Sequence, residues 1–299
     1  LAAAVAAASG PTDRVATRAR IGQAMVRMFG GETAEAERRL FGLVRELRGR
    51  DRRSLLADAY LALARAQRLR GQFSRAMSSV DLAAEAQGRR DVRAHGAYVN
   101  VLRAWILLGA GDIAGCEAAL DREGGSAGSG LPYEVRALYF EVLAEARRLR
   151  GDAPASLAAH LAGLDAARAA DDPIRAYYHD GMAGLLTANA RLVSEAVSRL
   201  GQLGAHRHLA MLYLLGALVG RDPDVLVAAE AEARLSEDPA LQLEVLYAVR
   251  AGPRRAEARS LARGLVEAAV GNLQESMLRL PAVRWAMEEP GRPLRDKSA

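Results

Sequence analysis

The chain has 299 residues, of which 51% are hydrophobic and only 5% aromatic, and it carries a formal net charge of +5. Its one cysteine, Cys116, excludes a disulfide framework and a thiolate metal cluster, and no apolar run reaches the roughly 20 residues that span a bilayer. Alanine and leucine dominate, β-branched runs are rare and no segment is convincing as a strand. The composition therefore predicts an all-α chain that is compatible with a reducing, cytoplasmic compartment.

The N-terminal segment 1–13 is interpreted as a linker or as the start of the first helix. Its apolar stretch LAAAVAAAS is too short to span a membrane and lacks the basic residues of a signal peptide. The same stretch also fits the trimmed end of a preceding linker, signal or membrane segment. Pro11, Thr12 and Asp13 then combine a breaker with two capping residues, which predicts a helix start.

A glycine recurs along the chain at a spacing of 40 residues, and a small residue lies five positions after each of them. Because a glycine between two helical patterns can adopt positive φ, each predicts the turn of a helix hairpin. The four glycines are Gly31, Gly71, Gly111 and Gly151. A further step of 40 reaches Arg191, where the glycine is lost while Ala196 and Leu200 are kept. Fixed-period similarity of this kind indicates a solenoid.

In chain order, the apolar periodicity predicts about seven hairpins. The region 14–203 holds five of them with period 40, and 204–288 holds degenerate hairpins and a capping helix that Pro281 splits. The glycine-rich segment 124–130 is a hinge or, more often in proteins, a surface insertion. The polar tail 289–299 is predicted to be disordered. The predicted hairpins cover 14–47, 58–88, 92–120, 133–169, 174–203, 209–235 and 239–270.

The second hairpin carries a family resemblance through a large–large–small–turn–small–large–small order of residues. These are Tyr60, Leu63, Ala64, Gly71, Phe73, Ala76, Val80 and Ala83. They resemble tetratricopeptide (TPR) repeats, in the long-period variety found in bacterial multidomain signalling proteins and regulators. The period of 40 departs from the family's usual value of about 34, and no proline closes each repeat. The resemblance implies an α-solenoid that forms a right-handed superhelix, binds a protein or peptide, and has no catalytic activity and no cofactor.

By the register of such repeats, the first helix of each hairpin lines a concave groove. The candidate groove residues are Arg65, Arg68, Tyr98, Trp105, Glu141, Glu145 and Tyr178. Tyr98 and Trp105 beside the two arginines form a candidate peptide-docking cluster, because aromatic residues and arginine dominate interface hot spots. The alternative, given equal weight, is that Tyr98 and Trp105 pack between neighbouring hairpins. Glu141 and Glu145 are interpreted as an acidic stripe beside arginines and not as a catalytic pair.

The sequence contains none of the common catalytic motifs that were sought. It lacks a phosphate-binding loop, a dinucleotide fingerprint, a nucleophile elbow and an HExxH motif. His206 and His208 point to different sides of a helix, and His160 is interpreted as an inter-helix histidine and not as a metal ligand. We therefore predict no enzyme and no metal site. Nucleic-acid binding is discounted despite a pI of 9.7, because the arginines are dispersed among acids. A domain that senses a ligand or signal peptide for an attached effector remains the alternative, and the oligomeric state stays open.

Overall fold

The computed structural model describes residues 14–48, 53–87, 92–122, 131–220, 222–249 and 254–288. Within these ranges the chain forms sixteen helices and no strand, which confirms the all-α prediction. The predictions for 1–13, for the glycine-rich segment 124–130 and for the tail 289–299 lie outside the described residues.

Consecutive helices pack against one another along the whole described chain, which is consistent with an α-solenoid. Helices α15 and α16 are short and are separated at Leu280, so the predicted break at Pro281 is present. The helices are α1 Arg14–Phe29, α2 Thr33–Leu47, α3 Arg53–Leu69, α4 Phe73–Gln87, α5 Val92–Gly109, α6 Ile113–Asp121, α7 Tyr133–Leu149, α8 Ala153–Ala169, α9 Pro173–Leu186, α10 Ala190–Gln202, α11 His206–Gly220, α12 Pro223–Leu235, α13 Pro239–Val249, α14 Arg255–Ala268, α15 Asn272–Arg279 and α16 Pro281–Met287.

The four periodic glycines occupy turns with left-handed backbone, as their spacing predicts. Their φ angles are 83° at Gly31, 69° at Gly71, 82° at Gly111 and 78° at Gly151. This conformation is unfavourable for a residue with a Cβ, and it lets the last carbonyls of the preceding helix find donors beyond the helix end. The turn geometry therefore follows from local sequence alone.

The fifth turn lies before Arg191, the position that a further step of 40 residues reaches. Arg191 lies inside α10, and the turn is at Ala188, which has a positive φ of 55°. The reason is the length of the first helix, since α9 has 14 residues where α7 has 17. The chain therefore turns three residues early, and Asn189 caps the next helix by accepting the Leu192 N–H.

The corner of the second hairpin is packed as expected. Phe73 is fully buried, and Ala64 and Ala76 are buried between the two helices. Cys116 occupies the matching small-residue position of α6 and is also fully buried, and burial raises the pKa of its thiol to about 12. A buried thiol of this kind packs as an apolar group and is not a nucleophile.

The C-terminal helices return to the start of the chain. Gly31 lies so close to the end of α12 that an added Cβ would overlap the carbonyl oxygen of Leu235. The carboxylate of Glu237 accepts a hydrogen bond of 2.9 Å from the Ala34 backbone at the first turn of α2. The first helix pair is therefore joined to a segment that lies 203 residues further along the chain.

The next two glycine turns also contact the C-terminal helices. A Cβ on Gly71 would overlap the Leu265 side chain of α14, and one on Gly111 would lie 2.7 Å from Leu280 Cδ2. At Gly151, by contrast, nothing comes within 4 Å. The first three glycine turns therefore form one contact surface for the C-terminal helices, which closes the solenoid on itself.

Alanine at Gly31 is expected to destabilise the protein more than alanine at Gly151. Both substitutions place a Cβ in left-handed backbone, at a cost of about 1–2 kcal/mol. Only the Gly31→Ala change also forces the first turn away from Leu235, which adds about 1–3 kcal/mol of overpacking. Urea unfolding of the two variants checks the difference, and equal losses of stability would show that the turn at Gly31 is free to move.

Candidate functional site

The candidate groove residues converge on the interior of the closed solenoid. Arg65, Arg68, Trp105, Glu141 and Tyr178 are buried, with exposures of 9%, 6%, 4%, 5% and 1%, and Tyr98 and Glu145 are half-buried. These side chains lie inside the described helices, and Asp238 and Glu244 from the C-terminal part of the chain line the same cavity as Arg68 and Glu141. The concave groove itself stays a prediction. Whether any of these residues contacts a partner stays a prediction.

Trp105 is the aromatic centre of this interior. The guanidinium carbon of Arg68 lies 4.3 Å from the centroid of its ring system, and those of Arg207 and Arg65 lie at 5.5 Å and 6.0 Å. Arg65 also donates a hydrogen bond of 2.9 Å to the Tyr98 hydroxyl. These cation–π contacts agree with the alternative in which Trp105 and Tyr98 pack between neighbouring helix pairs.

Two buried carboxylates link three arginines from different helices. Glu141 of α7 accepts from Arg175 Nε at 3.0 Å and from Arg207 Nη1 at 3.4 Å. Asp238, just before α13, accepts from Arg207 Nε at 3.3 Å and from Arg68 Nη1 at 3.2 Å. This set of five residues is called the central ion network below. It connects α3, α7, α9 and α11 with the start of α13.

The central ion network holds the Glu141 carboxyl in the charged form. Burial alone would raise the pKa of the Glu141 carboxyl, but Arg175, His208 and Arg207 together hold it well below its usual range. Burial lowers the pKa of Arg68 to about 10, with Arg207 adding repulsion, so this arginine stays protonated near neutral pH. Glu141 and Arg68 therefore act as fixed charges near neutral pH.

Glu145 and Glu244 lie beyond the network and differ in their partners. Both carboxylate oxygens of Glu145 accept from Arg148, at 2.7 Å and 2.5 Å. Glu244 of α13 has no hydrogen bond or ion pair with any described residue, and its exposed side chain lines two adjoining cavities. Desolvation by the surrounding protein, together with the nearby charge of Glu145, raises the pKa of Glu244 to about 7.

An apolar cleft opens beside Glu244 and has a volume of about 300 Å³. The ends of α5, α7 and α11 form it together with α13 to α16, and it is called the Leu218 cleft below. Leu149 and Leu218 on its wall are 43% and 54% exposed, so the cleft is open to solvent. Its inner end shares Glu244 and Leu149 with a polar cavity of about 90 Å³ that Arg68 and Asp238 also line. The cleft is thus the open end of the otherwise closed inner surface.

Three buried histidines surround Tyr178 on the other side of the network. Burial lowers the pKa of His160 to about 3, of His179 to about 4 and of His208 to about 3. The Nδ1 atoms of His160 and His179 are 3.0 Å apart, which bears out the interpretation of His160 as an inter-helix histidine. No partner for His160 could be identified from sequence spacing, and the structure places His179 of the next helix beside it. No group of three or more His, Cys, Asp or Glu side chains in the described ranges is arranged to hold a metal ion.

Sequence reasoning missed three of the five residues of the central ion network, namely Arg175, Arg207 and Asp238. It also gave no role to Glu244 and did not place His208 beside Glu141. Asp238 is followed by Pro239, which is a sequence signal for a helix start and not for an ion pair. Arg207 precedes His208, which the sequence identified only as one of two histidines on different helix faces. Nothing in the sequence connects these positions with Glu141, because the pairing depends on how the chain closes.

Comparison with models of known protein families gives no match, and comparison with curated proteins gives no match either. The resemblance to tetratricopeptide repeats therefore depends on the residues of the hairpins themselves. Among the described helices, none has the length and apolarity that crossing a membrane requires.

Proposed function

We propose that this chain is a non-catalytic, TPR-like α-solenoid that acts as a scaffold or regulatory module by binding a protein or peptide segment. The proposal includes about seven hairpins in a right-handed superhelix, within a cytoplasmic bacterial signalling or regulatory protein. One observation carries it, namely the solvent-open, apolar Leu218 cleft at the end of the inner surface. We therefore place the binding surface at the Leu218 cleft and not at Trp105, because Trp105 is buried while the cleft is open to solvent.

The size and composition of the cleft suit the anchoring side chains of a partner segment. A volume of about 300 Å³ accepts a few leucine-sized side chains and lies at the lower end of ordinary ligand pockets. Leu214, Leu218 and Tyr247 contribute apolar wall from α11 and α13. Burying such a wall under a partner is favourable at roughly 25 cal/mol per Å² of apolar surface. A few apolar anchors in a pocket commonly supply most of the binding energy of an interface.

The charges of the interior support a structural and not a reactive role for the central ion network. Each carboxylate of the network accepts from at least two arginines. Groups that are held charged by neighbours on several helices fix the relative positions of those helices. A rigid inner frame with one open end is the arrangement that a binding scaffold needs.

A charged residue on the cleft wall is expected to abolish binding. Peptides selected from a random-peptide display library on the purified protein serve as the probe, and fluorescence polarisation measures their affinity. Leu218→Glu is expected to weaken binding by more than about tenfold, because it places a carboxylate in the apolar wall. Val227→Glu is the matched control, since Val227 is 68% exposed on α12 and does not line the cleft. A library that yields no binder, or equal affinity for both variants, would overturn the proposal.

A second candidate is a sensor domain whose cleft binds a small ligand and controls an attached effector. The cleft volume favours it, as does the position of Glu244 between the cleft and the cavity beside the central ion network. A ligand at Glu244 would thus lie next to the charges that join the C-terminal helices to α3 and α7. Small-angle scattering with and without a bound compound tests this function, and an unchanged profile on saturation would exclude it.

A further inference from the structure

The charges at the base of the Leu218 cleft do not balance locally. Glu145 and Glu244 both line the inner cavity, and Arg148 lies next to them. Arg148 donates from Nε and Nη2 to the two carboxylate oxygens of Glu145. Because this pair occupies one bidentate face of the guanidinium, Arg148 cannot pair with Glu244 through the same two nitrogens. At the base of the cleft, Glu244 is therefore a carboxylate in addition to the Arg148–Glu145 ion pair.

The other charged groups that face Glu244 are already engaged. Arg68 of α3 and Asp238, just before α13, pair with each other at 3.2 Å. Glu244 thus faces the cleft with Arg68, Arg148, Glu145 and Asp238 as its charged neighbours, and neither arginine forms an ion pair with it. A carboxylate in such a place is stabilised by any cation that enters the cleft.

We propose that the partner segment in the Leu218 cleft presents a lysine or arginine side chain to Glu244, flanked by apolar residues that fill the cleft. This inference rests on the proposed function and deepens it by naming the chemistry of the partner. The long apolar stem of a basic side chain lies along the leucine wall while its charged end reaches the carboxylate. A divalent metal ion does not fit, because it needs about six oxygen ligands and this cleft offers one unpaired carboxylate.

Matched peptides test the inference. The probes are three short fluorescein-labelled peptides with the same leucine-rich flanks and a central lysine, norleucine or glutamate. The unmodified protein is expected to bind the lysine peptide at least about tenfold more tightly than the norleucine peptide, and the glutamate peptide least well. Glu244→Gln is expected to abolish the preference for lysine and to keep the binding of the norleucine peptide. Glu85→Gln, which changes an exposed carboxylate on α4 away from the cleft, is the control and keeps the preference.

The outcomes separate this inference from the function on which it rests. Equal binding of the lysine and norleucine peptides would overturn the inference and leave the peptide-binding function standing. If neither these peptides nor any library peptide binds, the function itself fails. Hexylamine is the remaining probe: if it binds in a Glu244-dependent manner while the lysine peptide does not, the occupant is a small organic amine and the inference is overturned. Thermal unfolding of both glutamine variants checks that neither change disturbs the fold.

Discussion

Replacing Glu141 by glutamine is expected to lower the free energy of unfolding by about 3–5 kcal/mol, because it leaves buried cations without their shared partner. Glu141 is the carboxylate between Arg175 and Arg207, and all three lie in the interior. Glutamine has nearly the same shape but no charge, so the loss measures the electrostatic contribution and not a cavity. Urea denaturation at neutral pH, followed by circular dichroism, gives the value.

The matched control is Glu145→Gln, one helical turn further along α7. Glu145 pairs only with Arg148, and its side chain is 17% exposed where that of Glu141 is 6% exposed. We expect this change to lower stability by about 1 kcal/mol or less, since water replaces the lost partner. Similar effects of the two substitutions would contradict the view that the central ion network joins the two ends of the solenoid.

The protein is expected to lose stability steeply as the pH falls below about 6.5. His160, His179 and His208 have folded-state pKa values of about 3, about 4 and about 3, against the ordinary value of 6.5. The unfolded chain therefore binds protons at pH values where the folded protein does not. The stability that these histidines contribute is complete above pH 6.5 and is lost as the pH falls toward the folded-state values. The slope reaches at most about 4 kcal/mol per pH unit if all three remain neutral.

The histidine effect is separable from that of the carboxylates. Between pH 6.5 and 5 the acids Glu141 and Asp172 stay ionised, because the pKa of each is lowered. Glu244 acts in the opposite direction to the histidines, because its folded-state pKa of about 7 lies above the ordinary value of 4.5. On acidification it therefore adds stability by at most about 1.4 kcal/mol per pH unit. The free energy of unfolding measured over this interval is expected to change less steeply in His160→Gln. A flat stability profile over this interval would show that the three histidines are not buried in the neutral form.

Local residues determined the helices and their turns. The turn at Gly71 could be predicted because glycine adopts positive φ more easily than other residues. The burial of Phe73 could be predicted because a large apolar side chain next to the turn fills the corner between the two helices. The limit of this reasoning is visible at Ala188. A turn at that position follows from the shorter α9, and it lies three residues before the position, Arg191, that a step of 40 reaches.

The candidate site was predicted in part, because helical register is local while closure of the chain is not. The register brought Arg65, Arg68, Trp105 and Glu141 onto one inner surface, where the structure also has them. The register could not show that this surface is covered. The cover comes from residues such as Asp238, which lies 170 positions after its partner Arg68.

The sequence by itself therefore determined an all-α chain and the positions of the four periodic glycine turns. Each of these depends on contacts between residues within one helix pair, and such contacts leave a period in the sequence. Only the tertiary structure decided that the solenoid closes, that Glu141 and Asp238 share Arg207, and that the Leu218 cleft stays open with Glu244 at its base. Those features depend on the sum of small rotations between successive helices, and no local pattern records that sum.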